Sequence, residues 1–151
     1  MASDIVARIG TINGESQDKK HRDEIDVLTW SWGVSSTASA ASGGGGGAGK
    51  STFSDLTFIH RVDRASPLLL KACATGEHMK DATITVRKAG KGHQEYLVVK
   101  LTDVTVTSVT VNVASEAPAT SESVSLRFAK VDYEYRAQKP DGTLEPGLHF
   151  I

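Results

Sequence analysis

Residues Gly44, Gly45, Gly46, Gly47, Ala48, Gly49, Lys50 and Ser51 satisfy the spacing Gly-x-x-x-x-Gly-Lys-Ser/Thr. In a phosphate-binding loop that spacing wraps backbone amides around the phosphates, brings a lysine to the terminal ones and sets a hydroxyl on magnesium. The chemistry requires an apolar strand feeding the loop and a helix leaving it, because amides at the helix N-terminus complete the cradle. Neither neighbour qualifies. Upstream, residues 34–42 are mostly Ser, Thr and Ala; downstream, Thr52 to Phe58 alternates as a strand does. No apolar strand ending in an acidic metal-binding residue follows, and the glycine run from Gly43 to Gly47 meets a pattern of Gly, Gly, Lys and Ser by accident. Lys50 therefore reads as a residue at the end of a loop, and a nucleotide-binding enzyme acting through Gly44 to Ser51 is the weakest of three functional alternatives.

Other chemistries leave no firmer mark. His21, His60, His78, His93 and His149 are scattered, without the tight spacing of a zinc helix or knuckle, and read as solvated surface residues. His21 forms a polar cluster with Asp18 and Glu24, which reads as an exposed face. There is no Gly-x-Ser-x-Gly elbow, and the lone Cys73, set among Leu70, Lys71, Ala72 and Ala74, reads as a buried structural thiol. The expectation is a protein with no catalytic residue, no metal site and no cofactor. With 17 basic and 18 acidic side chains the formal charge is −1, so no global field draws the chain to nucleic acid or an anionic membrane. No basic segment leads into an apolar one at the N-terminus, and no apolar run approaches the roughly 20 residues a membrane helix needs. The expectation is a protein made soluble in the cytoplasm, which leaves the cell, if it does, without a cleavable signal.

The elements that must position any site are strands. Ile5, Ala7 and Ile9 alternate, as do Ile25 and Val27, and Leu28, Trp30 and Trp32 follow on the opposite phase. Phe53 to Val62, Ala82 to Lys88, Tyr96 to Val113 and Ser123 to Arg136 continue in residues suited to a pleated surface. Two long strands change parity: Val104 and Val106 give way to Val109, Val111 and Val113, and Val124, Leu126 and Phe128 to Ala129, Val131, Tyr133 and Tyr135. A bulge in each would keep the apolar residues on one face while bending the strand, as barrel closure requires. One helix is legible from Ser66 to Ala74, with Ser66 as cap, Pro67 in the first turn, Gly76 after the last, and Leu68, Leu69 and Ala72 facing the sheet. Turns fall at Ala89 to Gly92, Ser115 to Pro118 and Pro140 to Gly142. The fold class is mainly β: an antiparallel β-barrel with one short α-helix, a long glycine-rich loop and a single domain over residues 1–151.

A glycine tract in a small domain costs conformational entropy, which favours either a passive linker or a segment that orders against a partner. Residues 34–48 are almost uncharged and long enough to dock on another subunit.

At this point the chain resembles the haemolysin-coregulated proteins, Hcp, of the bacterial type VI secretion system. The resemblance rests on Gly14-Glu15-Ser16-Gln17-Asp18, His21, Glu24 to Leu28, Trp30-Ser31-Trp32-Gly33, Gly49-Lys50, Ser66-Pro67 with Ala72-Cys73, Thr85 to Gly90, and Glu95-Tyr96-Leu97. It implies a hexameric ring whose copies stack into a tube, similar to phage tail tubes, propelled by a contractile sheath and tipped by a VgrG spike. The implied partners are further copies of the chain, the spike, the sheath and small effectors held in the lumen. The loop from Ser35 to Lys50, with Gly43 to Gly49, is then the carry-over for assembly contacts, and Trp30, Trp32 and Gly33 are motif residues of the core. If Glu24 to Trp32 alternates strictly, Thr29 and Ser31 share a face with Val27, opposite Leu28, Trp30 and Trp32, and small hydroxyls there would line the lumen. The end at Phe150-Ile151 argues against a fused toxin domain. A secreted β-domain that binds a small ligand or sugar is the remaining alternative.

Overall fold

A computed structural model describes residues 4–37, 50–88, 92, 94–113, 115 and 120–151. The tract from Gly43 to Gly49, with Ala48 within it, and most of the turns expected at Ala89 to Gly92 and Ser115 to Pro118 lie outside the described residues. Among the described residues the order is β1 (Asp4–Ile9), β2 (Ile25–Ser31), β3 (Val34–Ser36), β4 (Ser51–Phe53), β5 (Leu56–Arg61), α1 (Ser66–Thr75), β6 (His78–Arg87), β7 (Glu95–Asn112), β8 (Ser121–Tyr135) and β9 (Leu148–Phe150).

Six of these strands close on themselves. The antiparallel order β5-β2-β1-β6-β7-β8 is completed by pairing of β8 back onto β5, from Leu56 opposite Leu126 to Arg61 opposite Ser121. Closure removes the free edges that an open sheet would present. Where β8 outruns β5, β9 takes over its edge, with Tyr133 opposite Phe150. Strands β3 and β4 form a separate two-stranded ribbon, Ser35 opposite Thr52, outside the barrel.

The alternation read from the sequence is the alternation that fills the barrel. Ala7 and Ile9 of β1, Ile25 of β2, Leu56 and Phe58 of β5, Ile84 of β6, Val99 and Val104 of β7, and Val124 and Leu126 of β8 are all sealed from solvent. Helix α1 lays Leu69 and Ala72 onto this core, while Leu68, expected beside them, is 47% exposed. Ser66 is not the cap. Ala65 occupies that position without a side-chain bond to the helix amides, and Ser66 Oγ instead accepts from the Asp63 amide at 3.1 Å while Asp63 Oδ1 accepts from Ala65 at 2.8 Å. Gly76, at φ 68°, ends the helix in a left-handed turn in which the Glu77 amide donates to Ala72 O at 3.0 Å.

The long strands bend where parity changes, though not all in the expected way. In β7 the register against β8 slips between Val106 and Ser108, so Thr107 is an extra residue and its hydroxyl donates to Asp55 Oδ2 at 2.7 Å. In β8 the expected bulge at 128–129 is absent: the β7–β8 register runs unbroken from Leu97 to Val106. Both strands turn over together instead. Leu101 and Val104, three residues apart, are both buried, and Asp103 between them has φ 58°.

Residues 14–24 form a strap over the outer face of β1 and β6. Gly14 donates to Asp23 O at 2.7 Å, Ser16 to Glu24 O at 2.9 Å and Asp23 to Ser16 O at 2.9 Å. A Cβ on Gly14 would lie 2.6 Å from Glu24 O and 2.8 Å from Ile25 Cα, so the approach of the two chain segments requires glycine there.

Candidate assembly and lumen surfaces

Strand β2 carries the residues singled out for the lumen, and its phase differs from the strict alternation expected. Val27 pairs with His60 and Thr29 with Ile59, so two residues of β2 advance against one of β5 and Leu28 is a bulge. The inward set is therefore Ile25, Val27, Trp30 and Trp32, whereas Thr29 and Ser31 share the outer side with Asp26 and Leu28. The structure corrects the phase at Val27 and Leu28. It leaves Thr29 and Ser31 facing out from the core, and both are exposed.

Around them two rows of the outer face carry small hydroxylated side chains at every position but Ile59. One row across four strands reads Ser31, Thr57, Ser125, Ser108, and the next reads Thr29, Ile59, Ser123, Thr110. Thr57 Oγ1 and Ser125 Oγ are 2.9 Å apart. At the inter-strand spacing of about 4.8 Å these rows span roughly 15 Å of wall without a charged side chain.

The loop from Ser35 to Lys50 is anchored at both feet. Ser35 lies in β3; Lys50 is exposed and its carbonyl accepts from the Thr37 amide at 3.2 Å. Gly33 donates to Ser54 Oγ at 3.0 Å and accepts the Ser54 amide at 3.0 Å. Ser51 opens strand β4, not a helix, which is the wrong element to follow a phosphate-binding loop. Beneath the ribbon Trp32 meets four rings: Phe53 stacked at 6.1 Å, Phe128 edge-on at 6.0 Å, Tyr133 at 6.1 Å and Phe150 at 6.4 Å. Its indole N–H is buried without a partner. Beside this cluster an apolar groove of about 510 Å³ runs along Phe53, Phe128, Val131, Phe150 and Ile151.

Of the polar cluster expected around His21, the structure keeps Glu24 beside the ring and places Asp18 on Arg87 instead. Arg87, nearly buried, holds Asp18 at 2.9 Å and Asp4 at 3.3 Å, and its guanidinium keeps the Asp18 carboxyl below the ordinary range. His21 is not a solvated residue: it bridges Glu24 at 2.9 Å and Glu95 at 2.8 Å, and although burial opposes its charge, the two carboxylates raise it above its ordinary value. His60 is fully buried, 2.8 Å from the equally buried Glu122. Burial pushes His60 down, but Asp63 and Glu122 outweigh it and hold it up. Burial, with Asp63 and Asp4 nearby, raises Asp26. The signal for His60 was its place on the inward phase of Leu56 and Phe58, and for Glu122 its place on that of Val124 and Leu126. His78 is exposed as expected, and His149 is 41% exposed while its Nδ1 lies 2.8 Å from Asp132; His93 lies outside the described residues.

Among the described residues no group of three or more His, Cys, Asp or Glu side chains is arranged to hold a metal ion, and no helix is long and apolar enough to cross a membrane. The described residues thus form a small closed barrel whose outer face carries two uncharged rows through Thr29 and Ser31, with a two-stranded ribbon and an exposed apolar groove beside it. The comparisons with known proteins name its kind. A family model described as "Type VI secretion system effector, Hcp" matches residues 6–135. The chain is 45% identical over 148 residues to protein hcp1 of Pseudomonas aeruginosa, covering 97% of this chain and 91% of that one. It superposes on Hcp1 from Salmonella typhimurium with a TM-score of 0.78 at 35% identity, covering 99% and 92% of the two chains. A further solved structure, of a type six secretion system protein, gives a TM-score of 0.91 at 25% identity, covering 97% and 92%. The chain belongs to the Hcp family, whose members are structural, secreted tube proteins of type VI secretion and not enzymes.

Proposed function

We propose that this chain is the ring-forming subunit of a type VI secretion tube: six copies close a ring, rings stack, and the sheath expels the tube behind a VgrG spike with small effectors in its lumen. Residues 1–151 act as one domain. The observation that carries the reading is the family match over residues 6–135 together with the uncharged hydroxyl wall around Thr29 and Ser31. A channel wall of short, uncharged side chains neither blocks nor electrostatically traps a passenger. The loop from Ser35 to Lys50, including Gly43, Gly44, Gly45, Gly46, Gly47, Ala48 and Gly49, supplies contacts to a neighbouring copy. The adjacent groove at Phe53, Phe150 and Ile151 offers apolar surface of the kind that subunit contacts cover. Light scattering coupled to chromatography across a concentration series tests the assembly. A species of six times 16.0 kDa is expected, and a monomer at every concentration overturns the reading.

A further inference from the structure

The closing seam of the barrel buries a histidine and a glutamate where only apolar residues are needed. His60 on β5 and Glu122 on β8 are directly opposite each other, and neither is exposed at all. His60 Nε2 lies 2.8 Å from Glu122 Oε1, and Nδ1 lies 3.8 Å from Asp63 Oδ2, at the entrance to α1. Among the described residues the elements packed against it supply no cation. Across β2 its neighbour is Val27; Phe58 places its ring 5.6 Å away; Val111 of β7 stands opposite Glu122; the buried residues of α1 are Ser66, Leu69 and Ala72. Arg61, the next residue along, lies on the outer phase of β5 and is exposed, and on the outer side of β2 burial and then Asp63 raise the carboxyl of Asp26.

His60 therefore faces two carboxylates. If it were neutral, one ring nitrogen would donate to Glu122 and the other would present a lone pair to Asp63, leaving Glu122 as a full charge in a dry seam. Protonated on both nitrogens, it donates to Glu122 and directs its second N–H towards Asp63. At 3.8 Å the contact of His60 Nδ1 with Asp63 is one of charge rather than a hydrogen bond, and Glu122 Oε2 likewise has no hydrogen-bond partner.

We propose that His60, Glu122 and Asp63 form a proton-dependent lock on the barrel: doubly protonated His60 ties β8 to β5 and to the start of α1, and release of one proton loosens that end of the seam. The lock acts beneath the strand whose outer face carries Thr57 and Ile59 and which pairs with Thr29 and Ser31. The sign follows from linkage. The native state keeps a proton that the unfolded chain gives up near the ordinary histidine value of about 6.5. The lock's stabilisation is complete below that value and is lost as pH rises to where native His60 deprotonates.

The test combines two measurements on the full chain between pH 6 and 9. Nitrogen NMR of the histidine rings reads the charge of His60 directly, and urea unfolding is followed in the wild type, His60→Gln and Glu122→Gln. Above pH 6.5 the wild-type unfolding constant is expected to rise relative to His60→Gln, by up to about tenfold per pH unit, until His60 titrates. Amide protection of β5 and β8 near Arg61 and Ser121 falls over the same range. A His60 ring that is neutral at pH 6.5, or parallel pH profiles for the wild type and His60→Gln, overturns the lock. Should a variant fail to fold, the ring measurement on the wild type decides alone.

Discussion

Trp32 gives the sharpest test of how the assembly loop is held. The indole is half-buried and lies 6.0 to 6.4 Å from Phe53, Phe128, Tyr133 and Phe150, so it joins the ribbon, β8 and β9 in one cluster. Replacing a well-packed tryptophan by alanine costs about 3 to 5 kcal/mol, and partial exposure puts Trp32→Ala near the lower figure. Trp32→Phe behaves differently. It forfeits some ring area, of the order of 1 kcal/mol at about 25 cal/mol per Å². It also removes an indole N–H that is buried without a partner, a group whose burial costs about 1 to 3 kcal/mol. The two effects offset, so Trp32→Phe should lie within about 1 kcal/mol of the wild type. In urea, with a slope of about 1.5 kcal/mol per M, the alanine variant's midpoint falls by about 2 M while the phenylalanine variant's barely moves. Light scattering should show the alanine variant losing its assembled form and the phenylalanine variant keeping it. If the two variants are equally destabilised, the indole N–H has a partner or the cluster does not anchor the ribbon, and the reasoning fails.

The remaining expectations are simpler. Gly14→Ala brings a Cβ within 2.8 Å of backbone at Glu24 and Ile25 and should cost at least about 2 kcal/mol, read by urea unfolding. His21 titrates above its ordinary value through Glu95 and Glu24, so it stabilises the strap below about pH 6.5 and releases it as pH rises through the raised native value. Proteolysis within residues 14–24 should speed up over that range, and Glu95→Gln should weaken the dependence. Ser31→Gln, on the exposed wall, should leave the mass of the assembly unchanged while abolishing retention of a small effector; unchanged retention would remove Ser31 from the lumen lining.

How far the sequence reached depends on whether a residue's type agreed with its phase. Ile5, Ala7, Ile9 and Val124, Leu126 announced barrel strands because apolar types fell on the inward positions. The slip at Thr107 was legible because valines stand on both sides of it. The slip at Leu28 was hidden, since Leu28 and Trp30 are both large and two apart, which imitates a regular strand; the three-residue step from Val27 to Trp30 was the better clue. His60 and Glu122 were missed for the opposite reason, polar types on an inward phase, and their partnership spans 62 positions of sequence. At Ser66 the composition of a helix start was right, but a one-residue offset gave the hydroxyl to Asp63.

The bulge at Leu28 also makes β2 unlike its neighbours in what it tolerates. In a regular strand such as β5, removing one residue exchanges the wet and dry sides of everything beyond it. β2 carries one residue more than its partner needs, so a chain lacking Leu28 would still present Val27 and Trp30 inward and Thr29 and Ser31 outward, losing only the local bend. At Leu28, as at Thr107, the length of the gene can therefore change by a codon without turning the barrel inside out.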